Sequence, residues 1–360
     1  MGSASPSAGG VRQTPAAGRP EARGQVGRDR GNGRGAPAPA RRRRLVGGLL
    51  PALLTAATAA ALTAAAQPAV PAPPPAAVRP RAAAALPEAY RAHRADAVAA
   101  ARLAAAHGDR RRAAAERALT VPGRNLLAFD GRGAGRVTEV LGDLGHADRI
   151  AVLVPGSDTS LDTYGRFLAT ATALYADLAH RAPAEPRPVV VAWLGYDTPA
   201  TAGTAVTTTT RADRAAPALA ALTRELRALA PAGARLSLLC HSYGSVVCAR
   251  AAHAVDVDDL VLVGSPGTGA ADVSGLRTSA RVWAARGSRD WVSHVPHLRV
   301  VLPFGTVGFG TDPVSPSFGA RVFDAADAGH SGYFAPGSVS LANLARITLG
   351  ERGEVTGARG

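Results

Sequence analysis

The sequence predicts a doubly wound α/β domain built on a largely parallel sheet, and three observations predict it. From Asn125 onward, short apolar runs alternate with amphipathic stretches, which is the texture of successive βαβ units. An apolar run at 236–239 passes through a sharp turn into a helix of small residues, the strand–turn–helix step such folds repeat. The length of 360 residues accommodates one large domain with appendages, at a rough prior of about 100–200 residues per domain.

The elements follow in chain order. Residues 1–44 are rich in Gly, Pro, Ala and Arg, with almost no large apolar side chain, and cannot offset the entropy of ordering, so a disordered leader is expected. Arg41 to Arg44 then abut an uncharged stretch, 45–66, that ends in Ala64-Ala65-Ala66. Basic patch, apolar run and small-residue end form the tripartite pattern of a signal peptide. The run also has the length, roughly 20 apolar residues, of a membrane anchor, although its many Ala and Thr favour cleavage. The four-Arg string is compatible with either general or twin-arginine export, and a cytoplasmic Ala-rich linker is the plain alternative. Residues 67–80 read as an extended Pro/Ala linker and 81–120 as a helical region broken near Gly108.

The main domain is expected over 121–350. It opens with a hairpin, 126–129 and 136–141, followed by strand 150–154, helix 164–180, strand 189–193 and helix 212–229. Strand 235–239, helix 245–254 and strands 260–263, 281–285 and 321–323 come next, with helix 339–349 closing the domain and 351–360 left as a flexible tail.

Charge excludes a nucleic-acid partner read by a folded basic surface. The 41 basic residues against 27 acidic ones are unevenly spread: ten Arg and two acids fall in 1–44, nine Arg and four acids in 79–117, and the rest of the chain carries 22 Arg against 21 acids. The main domain is nearly neutral. Any binding of nucleic acid or anionic lipid by the leader would be electrostatic and salt-sensitive, because the leader has no aromatic residue to stack bases. Cys240 and Cys248 fall on a strand end and the following helix, so they are expected to point apart without a disulfide, and their spacing matches no metal site. No metal or cofactor is expected.

The chemistry concentrates at Leu239-Cys240-His241-Ser242-Tyr243-Gly244-Ser245. A serine at the apex of a strand-to-helix turn, with Gly two residues later, is the context that exposes a nucleophilic hydroxyl at the carboxyl end of a sheet. Cys240 stands where the G-x-S-x-G pattern has its first Gly. A serine hydroxyl needs an imidazole to take its proton and a carboxylate to orient that imidazole, in the order Ser, acid, His at the ends of later strands. Asp290, in the loop after strand 281–285, is the candidate acid and His330, after 321–323, the candidate base. Asp312, set among prolines, reads as a turn residue; His294 and His297 follow Asp290 too closely; His241 reads as packing beside the sheet. The oxyanion that forms on the carbonyl needs backbone N–H donors, assigned to Tyr243 and Ser157, with Gly156 next in line.

Together the segments RNLLAFDGRGAGRVTEVLGDLGHADRIAVLVPGSDTS, VVVAWLGYDTP, LLCHSYGSVV, LVLVGSPG, GSRDWV, GFGTDPVSPSFGARVF and GHSGYF resemble an α/β-hydrolase family common in actinobacteria, defined by sequence more than by a known reaction. The resemblance runs from Asn125 to Leu349 and implies the α/β-hydrolase fold with Ser242, Asp290 and His330 as its triad. An exported esterase-like serine hydrolase acting on a small-molecule or lipid ester is the reading that follows. No long apolar lid segment marks a lipase. A non-catalytic envelope or binding protein on the same fold is the alternative, and membrane association would come through 45–66.

Overall fold

The structure, a computed structural model, describes residues 70–297, 300–302 and 305–358. The leader expected at 1–44 and the signal peptide or anchor at 45–66 lie outside the described residues, and among the described residues no helix is long and apolar enough to cross a membrane.

Residues 70–80 carry no regular secondary structure, as the Pro/Ala composition requires, and are tied down in part by the Ala76 N–H donating to Asp96 Oδ2. Two helices follow, α1 (Leu86–His107) and α2 (Arg110–Leu119), separated by Gly108 in the left-handed region at φ 90°. Asp109 caps α2 by accepting the Arg112 N–H. The inner face of α1 is built of Ala89, Ala97, Ala100, Ala101 and Ala104, small enough to lie close against the first strand. This region is not a separate appendage. The buried Arg112 guanidinium bonds the Gly131 and Gly133 carbonyls and Asp162, which locks α2 onto the main domain.

The sheet has eight strands: β1 (Asn125–Asp130), β2 (Arg136–Leu141), β3 (Arg149–Val154), β4 (Pro188–Leu194), β5 (Arg235–His241), β6 (Asp259–Val263), β7 (Arg281–Ala285) and, after a small pair described below, β10 (Arg321–Val322). Their spatial order is β1-β2-β4-β3-β5-β6-β7-β10. The β1–β2 and β2–β4 pairs are antiparallel, and every pair from β4 to β10 is parallel. Helices α3 (Tyr164–Arg181), α4 (Thr210–Leu229), α5 (Tyr243–Ala251) and α6 (Val339–Leu349) cover both faces. Ile150, Val152 and Val154 of β3, with Leu236, Leu238 and Cys240 of β5, pack against α4 and α5, whereas Ala151, Leu153 and Leu239 pack with α3 and α6 on the other face. Burial on both faces is why these strands read as unbroken apolar runs. The chain steps from β3 to β4 on one side and to β5 on the other, so the strand order reverses between β3 and β5. A crevice opens at the carboxyl ends of strands at such a reversal. Residues 155–158 and Ser242 lie there.

Three expectations are corrected. Cys240 and Cys248 form a disulfide, with Cα atoms 6.4 Å apart, inside the range a disulfide spans. They do not point apart, because α5 doubles back over the face of β5 that carries the Cys240 side chain, which returns Cys248 to a place above it. The bridge closes a loop with a sequence separation of 8, so replacing both cysteines by Ala is expected to cost about 2–3 kcal/mol in urea unfolding. Reductant should destabilise the wild type to the same level, and a wild type indifferent to reductant would show that the bond does not form. The tail expected to be flexible is instead anchored over its described residues, 351–358. Arg352 Nη2 donates to Asp259 at 2.9 Å, the Thr356 N–H donates to Asn343 Oδ1 at 3.1 Å, and Gly357 bridges Phe323. Finally, the stretch between β7 and β10 contains a short antiparallel pair, β8 (Val300–Leu302) and β9 (Gly305–Val307), where no strand was expected.

Candidate active site

The serine is positioned by the end of β5. Its N–H donates to the Val263 carbonyl at 3.0 Å, continuing the sheet ladder one residue beyond the strand, and its backbone then turns sharply at φ 55° and ψ −128° before α5 begins at Tyr243. Such a conformation costs roughly 1–3 kcal/mol and persists only where the surroundings enforce it. They do so here through close packing. A Cβ on Gly244 would lie 2.5 Å from the Val154 carbonyl oxygen, and one on Gly156 would lie 2.6 Å from the Ser242 Cβ. Only glycine at both positions lets the helix start and the loop after β3 meet around the serine. Cys240, at the position where the motif has Gly, is accommodated by bonding covalently into α5.

Ser242, Asp290 and His330 come together from three separate loops. Ser242 Oγ lies 2.9 Å from His330 Nε2, and His330 Nδ1 lies 2.9 Å from Asp290 Oδ1. Asp290 is 1% exposed and accepts two further bonds, from the Val292 N–H at Oδ1 and from the Tyr333 hydroxyl at Oδ2. Burial works to raise the pKa of this carboxyl, but the bonds from His330, Tyr333 and Val292 outweigh it and hold the group below its ordinary value. The Tyr333 hydroxyl is pushed far above its ordinary range, first by burial and then by Asp290, so it stays protonated and donates. Its own oxygen accepts the Gly287 N–H at 3.1 Å.

Ser157 lines the cleft beside Ser242, and Tyr243 is the first residue of α5, immediately after it. The loop 155–158 passes beside Ser242, pinned by Tyr196 Oη donating to the Pro155 carbonyl at 2.6 Å and by the Asp158 N–H donating to Pro199. Asp158 adopts φ 57° and its carboxylate is held by Thr201. Among the described residues, the Ser157 and Tyr243 N–H groups have no hydrogen-bond acceptor.

The rejected candidates are elsewhere or serve otherwise. Asp312 pairs with Arg286 and caps its own turn at Val314, while His297 faces that same carboxylate at 3.5 Å. His294 lies against Ser293. His241 does more than pack beside the sheet. Its Nε2 donates to the carbonyl of His330 at 2.6 Å, and its ring centroid lies 4.8 Å from that of His330. Burial first and the neighbouring His330 second push its pKa from the ordinary 6.5 down to about 4, so the ring is neutral and fixed as a donor. The unfolded chain takes up a proton near pH 6.5 that the native state refuses until about pH 4. His241 therefore costs no stability above that window and about 1.4 kcal/mol per pH unit as the pH falls through it. Urea unfolding across this window should show a shallower acid loss for His241→Phe than for the wild type; equal slopes would contradict the account.

Tyr333 and the pinning role of His241 were not foreseen. The available signals were the aromatic hydroxyl three residues after His330 and an imidazole beside the serine. The site opens into a cleft of about 610 Å3 whose lining includes Trp291, His330, Phe334, Ser157, Arg166 and Phe167. Among the described residues, no group of three or more His, Cys, Asp or Glu side chains could hold a metal ion.

Residues 130–300 match the model of a family described as alpha/beta hydrolase, a span that includes Ser242 and Asp290 and ends before His330. No curated protein matches the sequence. Among solved structures, the chain is similar to esterase PE8 (18% identity, covering 58% of this chain and 95% of that one, TM-score 0.39). It is also similar to a serine hydrolase without lid from Xanthomonas campestris (18% identity, 66% and 98% covered, TM-score 0.39). A third likeness is to carboxyl esterase 2 from Tuber melanosporum (10% identity, 64% and 87% covered, TM-score 0.37). The parallel sheet and the strand-to-helix turn at Ser242 agree with the family match over 130–300: in fold the chain is an α/β hydrolase.

Proposed function

We propose that the protein is a serine esterase that works through an acyl-enzyme and is exported from the cytoplasm. The observation that carries the catalytic reading is the continuous chain from Ser242 Oγ through His330 to Asp290, each link 2.9 Å. In this mechanism His330 Nε2 takes the Ser242 proton as Oγ attacks the ester carbonyl, and Asp290 holds Nδ1–H so that Nε2 is the free acceptor. The unbonded Tyr243 and Ser157 N–H groups receive the negative charge that develops on the carbonyl oxygen. His330 then gives the proton to the departing alcohol, and a water repeats the sequence to free the acid.

Export is supported by the Arg41–Arg44 patch ahead of the apolar stretch 45–66, and by the Cys240–Cys248 disulfide, a bond that persists in oxidising compartments. The full chain, expressed in a bacterial host behind its own N-terminus, is expected outside the cytoplasm, shortened and with both cysteines oxidised. A full-length chain retained in the cytoplasm with free thiols would refute export.

The esterase reading is tested with a fluorophosphonate probe and a series of p-nitrophenyl esters of graded acyl length. Stoichiometric labelling and turnover of at least one ester are expected. A folded protein that does neither would leave the fold serving as a binding scaffold.

A further inference from the structure

Trp291 follows the triad acid directly and is half exposed, at 50%. Of the four exposed large hydrophobic residues among those described, it is the aromatic one and the one that lines the cleft. Leaving an indole in water forgoes a large burial gain, so its exposure beside a reactive centre calls for an occupant. Its ring centroid lies 4.5 Å from that of His330, whereas the neighbouring aromatics Tyr333 and Phe334 are buried. Nor is it loosely held. Asp290 accepts the Val292 N–H and so caps the short turn Trp291–His294, and Val292 is buried beneath it, which fixes the indole at its root.

The chemistry says which half of a substrate meets this ring. During acylation the departing oxygen must come within hydrogen-bond reach of His330 Nε2, because that nitrogen supplies its proton. Whatever the oxygen carries therefore runs along the wall that holds His330, and Trp291 lies on that wall. The part of the cleft supplied by α3 and its N-cap offers Thr163, Arg166, Phe167 and Thr170, a mixed surface in which the one aromatic ring is not in contact with the triad histidine.

We propose that Trp291 forms a leaving-group subsite and that the favoured substrates are esters whose alcohol half carries a flat apolar group, such as an aryl or fused-ring alcohol. This rests on the serine-esterase reading. Because the alcohol has left before deacylation, the subsite acts on acylation alone and is read in kcat/KM.

The test compares 2-naphthyl acetate with hexafluoroisopropyl acetate, two esters that give the same acetyl-enzyme from alcohols of similar acidity, only one of them flat and aromatic. In Trp291→Ala the ratio of their kcat/KM values, naphthyl over fluoroalkyl, is expected to fall about tenfold, and Trp291→Phe should recover most of it. General damage to His330 would lower both esters together and leave the ratio unchanged. An unchanged ratio in a protein that still labels with an ethyl fluorophosphonate overturns the subsite and leaves the esterase reading intact. A wild type that neither labels nor turns over either acetate removes the esterase reading and the subsite with it.

Discussion

Replacing Ser242 with alanine is expected to abolish fluorophosphonate labelling and to lower ester turnover on the order of 10^4-fold or more. His330→Ala should cost a similar factor, because the hydroxyl is a weak nucleophile without its base and the base has nothing to deprotonate without the hydroxyl. The double variant should therefore be no worse than either single one. That non-additivity is the stronger test. Two residues that merely shaped the cleft would give losses that multiply, whereas members of one proton-transfer unit do not. The fold should survive, since Ser242 Oγ bonds only His330 among the described residues, and thermal unfolding of the variant serves as the control. A variant that keeps a tenth of wild-type turnover would remove Ser242 from the nucleophile role.

The sheet, and the three residues that the structure brings together at its carboxyl edge, were legible in the sequence. Strands buried on both faces must be apolar throughout, so 150–154, 235–239 and 260–263 stand out, and the polar residues that follow strands at the carboxyl edge are then few. Ser242 and Asp290 lie just after the buried strands β5 and β7, whereas His330 follows β10, a short edge strand that is only partly buried. The features that escaped depend on contacts no local pattern encodes. The Cys240–Cys248 bridge depends on which way α5 folds back over β5, which a spacing of 8 does not specify. The anchoring of the carboxyl-terminal stretch rests on Arg352 meeting Asp259, 93 residues away. Tyr333 was visible as an aromatic near His330, but its value lies in reaching Asp290 across a separation of 43 residues. A longer separation, 89 residues, hides the bond from His241 to the His330 carbonyl.

Replacing Asp290 with asparagine is expected to lower kcat about 10^4-fold with little change in KM, for a reason the site makes specific. The carboxylate receives three donors: His330 Nδ1–H and the Val292 N–H at Oδ1, and the Tyr333 hydroxyl at Oδ2. An asparagine has one acceptor oxygen. If that oxygen stays toward His330 and Val292, the amide NH2 meets a Tyr333 oxygen that already accepts the Gly287 N–H, and the buried Tyr333 proton loses its acceptor. If the amide turns the other way, Tyr333 is satisfied but a donor faces His330 Nδ1. The imidazole then carries its proton on Nε2 and cannot accept the one from Ser242. The loss of the carboxylate charge adds to either outcome, since the imidazolium formed in the transition state is no longer stabilised. Tyr333→Phe alone should cost about tenfold, by removing one hydrogen bond to a charged group. In the combined Asp290→Asn, Tyr333→Phe variant the competing demand of the hydroxyl is gone, so the amide oxygen is free to serve His330. That variant is expected to turn over faster than Asp290→Asn by itself, measured as kcat on p-nitrophenyl acetate. Multiplying losses in the double variant would mean that Tyr333 does not decide the tautomer of His330, and an Asp290→Asn protein within tenfold of the wild type would mean that Asp290 does not orient it at all.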